Sequence, residues 1–266
     1  MSRAALTFVT GVHVLWHDGC MTSEAARQAG GIRARNRAAI ETEILELGRR
    51  HLAREGAAAL SLRAIARDLG MVSSALYRYV ASRDDLLTLL IVAAFNSLGD
   101  AVEQAHGEVA DSDLTGRWQA IGRALRNWGL EHPHEYALIY GSPVPDYHAP
   151  SEQTTEPGTR VQVLLTRLLA DAARTGHLAR DGYETHLTED LAPLARSAAG
   201  SLLDDDFFHG SGLDAETLMA GLAAWSLLMG AVSAEVFGHL GVDTITDAEA
   251  HFEYLLAVGE RLVLRP

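Results

Sequence analysis

The chain has 266 residues, 48% of them hydrophobic, and a formal net charge of −13. Its longest candidate apolar run, Leu86 to Phe95, carries Thr88 and is too short to span a bilayer, so no membrane association is expected. The single cysteine, Cys20, excludes an internal disulfide and suits a reducing cytoplasm, and 7 prolines with few alternating runs point to an all-α class.

Charge is unevenly spread. Residues 31–85 hold ten Arg against seven acidic residues, whereas 86–266 hold ten Arg against 26. A mildly basic segment therefore precedes a strongly acidic body, and a polyanion would be met by the N-terminal end alone. The apolar opening of the chain is broken by His13, His17 and Asp18, which argues against a secretory leader. Met21 begins a polar, Ala-rich stretch that reads as a natural start, and residues 1–30 are expected to be a weakly ordered extension.

From Arg35, the positions Ile40, Ile44, Leu47 and Leu52 recur at near-helical spacing, and Gly56 stops this first helix. Ser61 can cap a second helix whose Leu62, Ile65, Ala66 and Leu69 share a face, and Gly70 ends it. The spacing from Ala66 to Gly70 predicts a tight turn and a helix-turn-helix. A third helix is predicted over about 72–79. Leu76 and Val80 point to the core and Ser73, Ser74, Tyr77 and Arg78 point outward, as a helix entering a DNA major groove requires. The competing reading is a small solvated helix whose tyrosines pack on neighbours. Ser82 caps a fourth helix, with Asp85 at the capping-box position.

Leu60-Ser61-Leu62-Arg63, Ala66, Leu69-Gly70, Leu76-Tyr77-Arg78-Tyr79-Val80 and Ser82-Arg83-Asp84-Asp85-Leu86-Leu87 together resemble the DNA-binding domain of TetR-family transcriptional regulators. The resemblance implies that Arg63 lies near bases or phosphates and that Ser73, Ser74 and Ala75 open the recognition helix. It further implies that Tyr77 and Tyr79 touch phosphates and sugars, and that Arg83 clamps a phosphate. With Arg37, Ser61 and Arg78 these form the expected DNA-binding set.

The remainder reads as helices over 114–130, 161–173, 189–199, 215–240 and 248–264, with a Pro- and Gly-rich loop at 141–158 and a charged-aromatic connector at 204–208. Arg117-Trp118, Trp128, His132 to Tyr136, Leu138 to Gly141, Pro143, Pro145, Tyr147 and Ala149-Pro150 resemble the WHG-type C-terminal domain of some TetR-family proteins, a domain that implies a small effector and dimerisation. The small residues of 215–240 fit either a close-packed dimer helix or a buried intrachain one. Trp118, Trp128, Tyr140, Phe207 and Trp225 are the aromatic candidates for an effector pocket. His132 and His134 fall on different helix faces without a third ligand, so no metal or other cofactor is expected, and no catalytic motif is present.

The sequence thus predicts an all-α protein in three parts. These are an extension (1–30), a three-helix helix-turn-helix DNA-binding domain (31–84) and a helical effector-binding and dimerisation domain (85–266). The expected role is a cytoplasmic homodimeric regulator on a near-palindromic double-stranded operator, a repressor released by a small apolar or amphipathic ligand, and not an enzyme. The alternative is an all-helical carrier or enzyme whose N-terminal segment only packs.

Overall fold

The computed structural model of the chain describes residues 19–179, 193–194, 197–200, 208, 210–241 and 243–265, with side chains from residue 34 onward. Among these residues all regular structure is helical, apart from an isolated antiparallel bridge between Leu178 and Leu264. Most of the expected 189–199 helix, most of the 204–208 connector and residues 1–18 lie outside the described residues. The chain forms two compact units, 1–46 and 47–266.

Helix α1 (Gly19–Glu55) starts in the first unit, earlier than the Arg35 start read from periodicity. No proline interrupts this stretch, and its apolar positions are too sparse for periodicity to mark its start. Within the first unit Arg37 pairs with Glu41 at 2.7 Å, an exposed i,i+4 contact that stabilises by only about 0.3–0.5 kcal/mol.

In the second unit the end of α1 buries Leu47 and Leu52, and a short 3-10 turn (Ala57–Ala59) leads to α2 (Leu62–Asp68), α3 (Ser73–Leu76) and α4 (Arg83–Gly107). The Ser82 hydroxyl accepts the Asp85 N–H at 3.0 Å, the cap expected from the sequence. The body follows as α5 (Leu114–Glu131), α6 (Pro133–Tyr140), α7 (Ser151–Thr175), α8 (Ala215–Val236) and α9 (Ala248–Val263). By length and composition α4 and α8 could each cross a bilayer. The apolar side of α4, including Leu90, Ala94, Leu98 and Val102, is instead buried within the protein.

Ile121, Leu125 and Trp128 of α5 meet α7, α8 and α9 in the main core, as their spacing predicts. Trp118 is enclosed there, 2% exposed, with its indole N–H donated to the Leu256 carbonyl at 2.9 Å. Gly259 lies directly against that ring. A Cβ there would stand 2.8 Å from Cζ2, so glycine is what permits α9 to approach α5.

The loop expected over 141–158 is shorter, because α7 begins at Ser151 and carries Pro157 in its interior. An interior proline removes one backbone hydrogen bond and costs about 3 kcal/mol in an isolated helix. Here Pro157 is itself buried, and Val161, Leu164, Leu165 and Leu168 follow it into the core, so packing overrides the local breaker.

Arg117 is 4% exposed and makes three hydrogen bonds. Its Nε–H donates to His106 Nε2 at 2.9 Å and Nη1 donates to Asp171 (2.9 Å) and the Asp111 carbonyl (3.1 Å). Burial, and then the adjacent guanidinium, push the His106 imidazole below its ordinary range. The hydrogen bond from Arg117 holds the Asp171 carboxyl low as well. Below about pH 6.5 the unfolded chain takes up a proton at His106 that the fold resists, so stability falls as pH drops through that range. Asp171 adds a second loss only below about pH 4. His106→Gln retains an acceptor for Arg117, and we expect it to flatten the melting-temperature slope between about pH 7 and pH 5.5. An unchanged slope would exclude the imidazole as its source.

Candidate nucleic-acid interface

Helix α2 ends because Gly70 adopts φ +66°, a conformation other L residues rarely take. The Met71 N–H then reaches the Ala66 carbonyl at 2.9 Å and the Gly70 N–H reaches that of Arg67 at 3.0 Å, the bond pair of a left-handed helix terminus. Val72 returns the backbone to extended geometry and α3 starts at Ser73. Only Ser73–Leu76 is α-helical, shorter than the predicted 72–79. After it, the N–H groups of Arg78 and Tyr79 bond the carbonyls of Ala75 and Leu76, three residues back, tightening the turn until Val80 re-enters the core.

Leu76 and Val80 are buried, as are Leu62, Ile65 and Ala66 of α2. Facing outward are Arg63, Ser74, Arg78 and Tyr77, the last 49% exposed. Among the described residues none of these four side chains has a hydrogen-bond or ion-pair partner. Ser61, Ser73, Ala75 and Tyr79 are partly buried on the same helix pair. Ser61 occupies the N-cap of α2, yet its hydroxyl accepts no capping bond and so remains available. Arg37 lies in the first unit, with Glu41.

Arg83, the expected phosphate clamp, also has partners within the chain. Its Nη2 donates to the carbonyls of Ala57 (3.0 Å) and Ala58 (3.2 Å), and Nη1 meets Asp84 at 3.3 Å. It acts as a strut between the start of α4 and the 3-10 turn. Two features differ from the sequence reading, in which His51 is a surface or helix-end residue. His51, 4% exposed, places Nε2 2.8 Å from Asp68 and so ties the end of α1 to the end of α2. That bond is the main cause of the lowered Asp68 carboxyl. Val72 is 71% exposed. Its spacing to Leu76 and Val80 suggests a core position, but its non-helical ψ of 141° takes it out of that stripe.

The aromatic candidates separate. Trp118 belongs to the core, and Trp128 is 3% exposed with its N–H donated to Ser97 at 3.0 Å. Trp225 packs half-buried against the core. Phe207 lies outside the described residues. Tyr140 lines an open cleft of about 940 Å³ between the end of α1 with its following turn and α6 with its following loop.

A glycine-turned helix pair with an unpartnered basic and hydroxyl edge, carried on a helical body, defines a helix-turn-helix transcription regulator. A family model for bacterial regulatory proteins of the tetR family matches residues 44–90, and one described as tetracyclin repressor-like, C-terminal domain, matches residues 118–258. The chain belongs to the TetR family of bacterial regulators. It is 43% identical over 224 residues to the HTH-type transcriptional regulator Rv1816 of Mycobacterium tuberculosis (strain ATCC 25618 / H37Rv), covering 84% of this chain and 92% of that one. The regulator Mb1846 of Mycobacterium bovis matches to the same extent. The crystal structure of the regulatory protein SCO4313 superposes with a TM-score of 0.67 at 30% identity, over 85% of this chain and 97% of that one. A Rhodococcus sp. RHA1 structure shares the fold, with a TM-score of 0.56 at 23% identity over 82% and 94% of the two chains.

Proposed function

We propose that the protein is a homodimeric repressor that binds a near-palindromic operator through the α2–α3 unit and leaves it when a small apolar or amphipathic molecule binds the body. The observation that carries the DNA contact is the outward edge of Arg63, Ser74, Tyr77 and Arg78, exposed and without internal partners. Hydroxyls and guanidinium groups in that arrangement suit phosphate oxygens and guanine edges. Two copies related by a twofold axis would set two such edges on successive major-groove faces.

Helix α8 supports the dimer. It buries Ala220, Ala224, Leu228, Ala231 and Val232, while Ala223, Ser226 and Gly230 remain exposed on another side. Small side chains there allow a second helix to approach closely. Effector control is then a shift between two arrangements of the paired heads, and the ligand must favour the non-binding one by several kcal/mol to clear the operator. Such a repressor, acting on DNA, would work in the cytoplasm.

The experiment is selection of a bound duplex from random DNA, followed by titration at rising salt and light scattering on the free protein. The expected result is a mass twice 28.6 kDa and an affinity that falls linearly in log–log form, by roughly 0.9 per phosphate contacted. A monomer, or a salt-independent affinity, would reject the reading.

A further inference from the structure

Val72 stands at the N-cap of α3 with extended backbone (φ −70°, ψ 141°), and its side chain makes no capping bond. A serine, threonine, aspartate or asparagine there would accept a first-turn N–H and steady the helix; valine forgoes that. It is also 71% exposed, the most exposed large apolar side chain among the described residues. A lone exposed valine needs no explanation by itself. Its surroundings give it one.

Arg63, Ser74, Tyr77 and Arg78 are exposed on the same helix pair, and all four side chains can hydrogen-bond. Val72 is the apolar exception at the start of that edge. From Val72 to Arg78 the chain advances roughly 10 Å, about three base steps of about 3.4 Å each. A major groove that meets Tyr77 and Arg78 therefore meets Val72 as well.

The base edges in that groove carry one apolar substituent, the C5 methyl of thymine; their other recognition groups are donors and acceptors. Against guanine or adenine acceptors, or the amino group of cytosine, the valine methyls would displace water without replacing its hydrogen bonds. Against thymine they bury methyl on methyl, which is favourable. Branching at Cβ restricts the valine rotamers, so little side-chain freedom is lost in making the contact.

We propose that Val72 is a specificity-determining residue that selects one thymine in each half-site by its C5 methyl, within about three base pairs of the position met by Arg78. The proposal rests on the DNA-binding reading above and adds to its polar edge a base preference set by an apolar contact.

The test is a double-mutant cycle between the full chain and the selected duplex. Each thymine of a half-site is replaced in turn, and symmetrically in both half-sites, by deoxyuridine, which removes only the methyl. One such replacement is expected to weaken binding of the unmutated protein about fourfold per half-site, roughly fifteenfold for the two. Val72→Ser should lose a similar factor on the thymine duplex and be indifferent to that deoxyuridine. Because serine also supplies the missing cap, its melting temperature should hold or rise while its affinity falls, a divergence that a merely structural valine would not produce. Val72→Ala, which adds no cap, should show a blunted response at the same thymine. If the unmutated protein binds the duplex but no deoxyuridine position is felt by it and silenced by Val72→Ser, this proposal alone is overturned. If it binds no duplex at all, the DNA-binding reading falls and takes the proposal with it.

Discussion

Arg78→Ala combined with Tyr77→Phe is expected to weaken operator binding at moderate salt by about 1–3 kcal/mol per half-site for the arginine alone, roughly 5- to 150-fold. A dimer loses this twice. Both side chains are exposed and make no internal bond, so the folded state should change by no more than about 0.5 kcal/mol. The two modes of contact leave different signatures. If Arg78 reads a guanine edge, specificity at one position relaxes; if it pairs with a phosphate, affinity falls uniformly and the salt slope shrinks by about 1 per half-site. Undiminished affinity, measured by anisotropy on the selected duplex, would remove α3 from the interface and favour the carrier reading.

Trp118→Ala is expected to destabilise the body by about 3–5 kcal/mol, since the indole is enclosed by the core and donates to the Leu256 carbonyl. This distinguishes a core tryptophan from a pocket one, for which the loss would appear in ligand affinity while stability held. Gly259→Ala gives an independent check. Its new methyl would collide with Cζ2 of Trp118, and the collision disappears when Trp118→Phe shortens the ring system. The two substitutions together should therefore cost less than the sum of each alone, a coupling readable by denaturant unfolding. Strict additivity would mean that α9 does not depend on this contact.

The head was legible because its instructions are local. Ala66, Gly70 and Ser82 each act within a few residues of where they stand, and each makes the bond its spacing implies. Helices α5 and α9 were legible for a related reason, having one apolar stripe apiece. What the sequence hid is non-local. Arg83 finds its acceptors on backbone 25 and 26 residues away, and nothing in a linear pattern separates a carbonyl from a phosphate as the destination of a guanidinium. The part-buried His51–Asp68 contact spans 17 residues and was hidden for the same reason. Pro157 misled because the breaker rule describes a helix alone, whereas α7 is held by the core along its length. The aromatic candidates could not be sorted by type, since a tryptophan wall and a tryptophan core have the same composition.

Helix α4 runs without interruption for 25 residues, about 37 Å end to end, from the strut at Arg83 to the network around His106. Such a rod transmits angle rather than distance. Pivoted at its centre, a tilt of about 10° carries either tip about 3 Å, close to the rise of one base step, about 3.4 Å. In the dimer proposed above, two such rods tilting oppositely about the twofold axis would double the error in spacing and carry the reading heads out of phase with the duplex while every hydrogen bond along the rods stays closed.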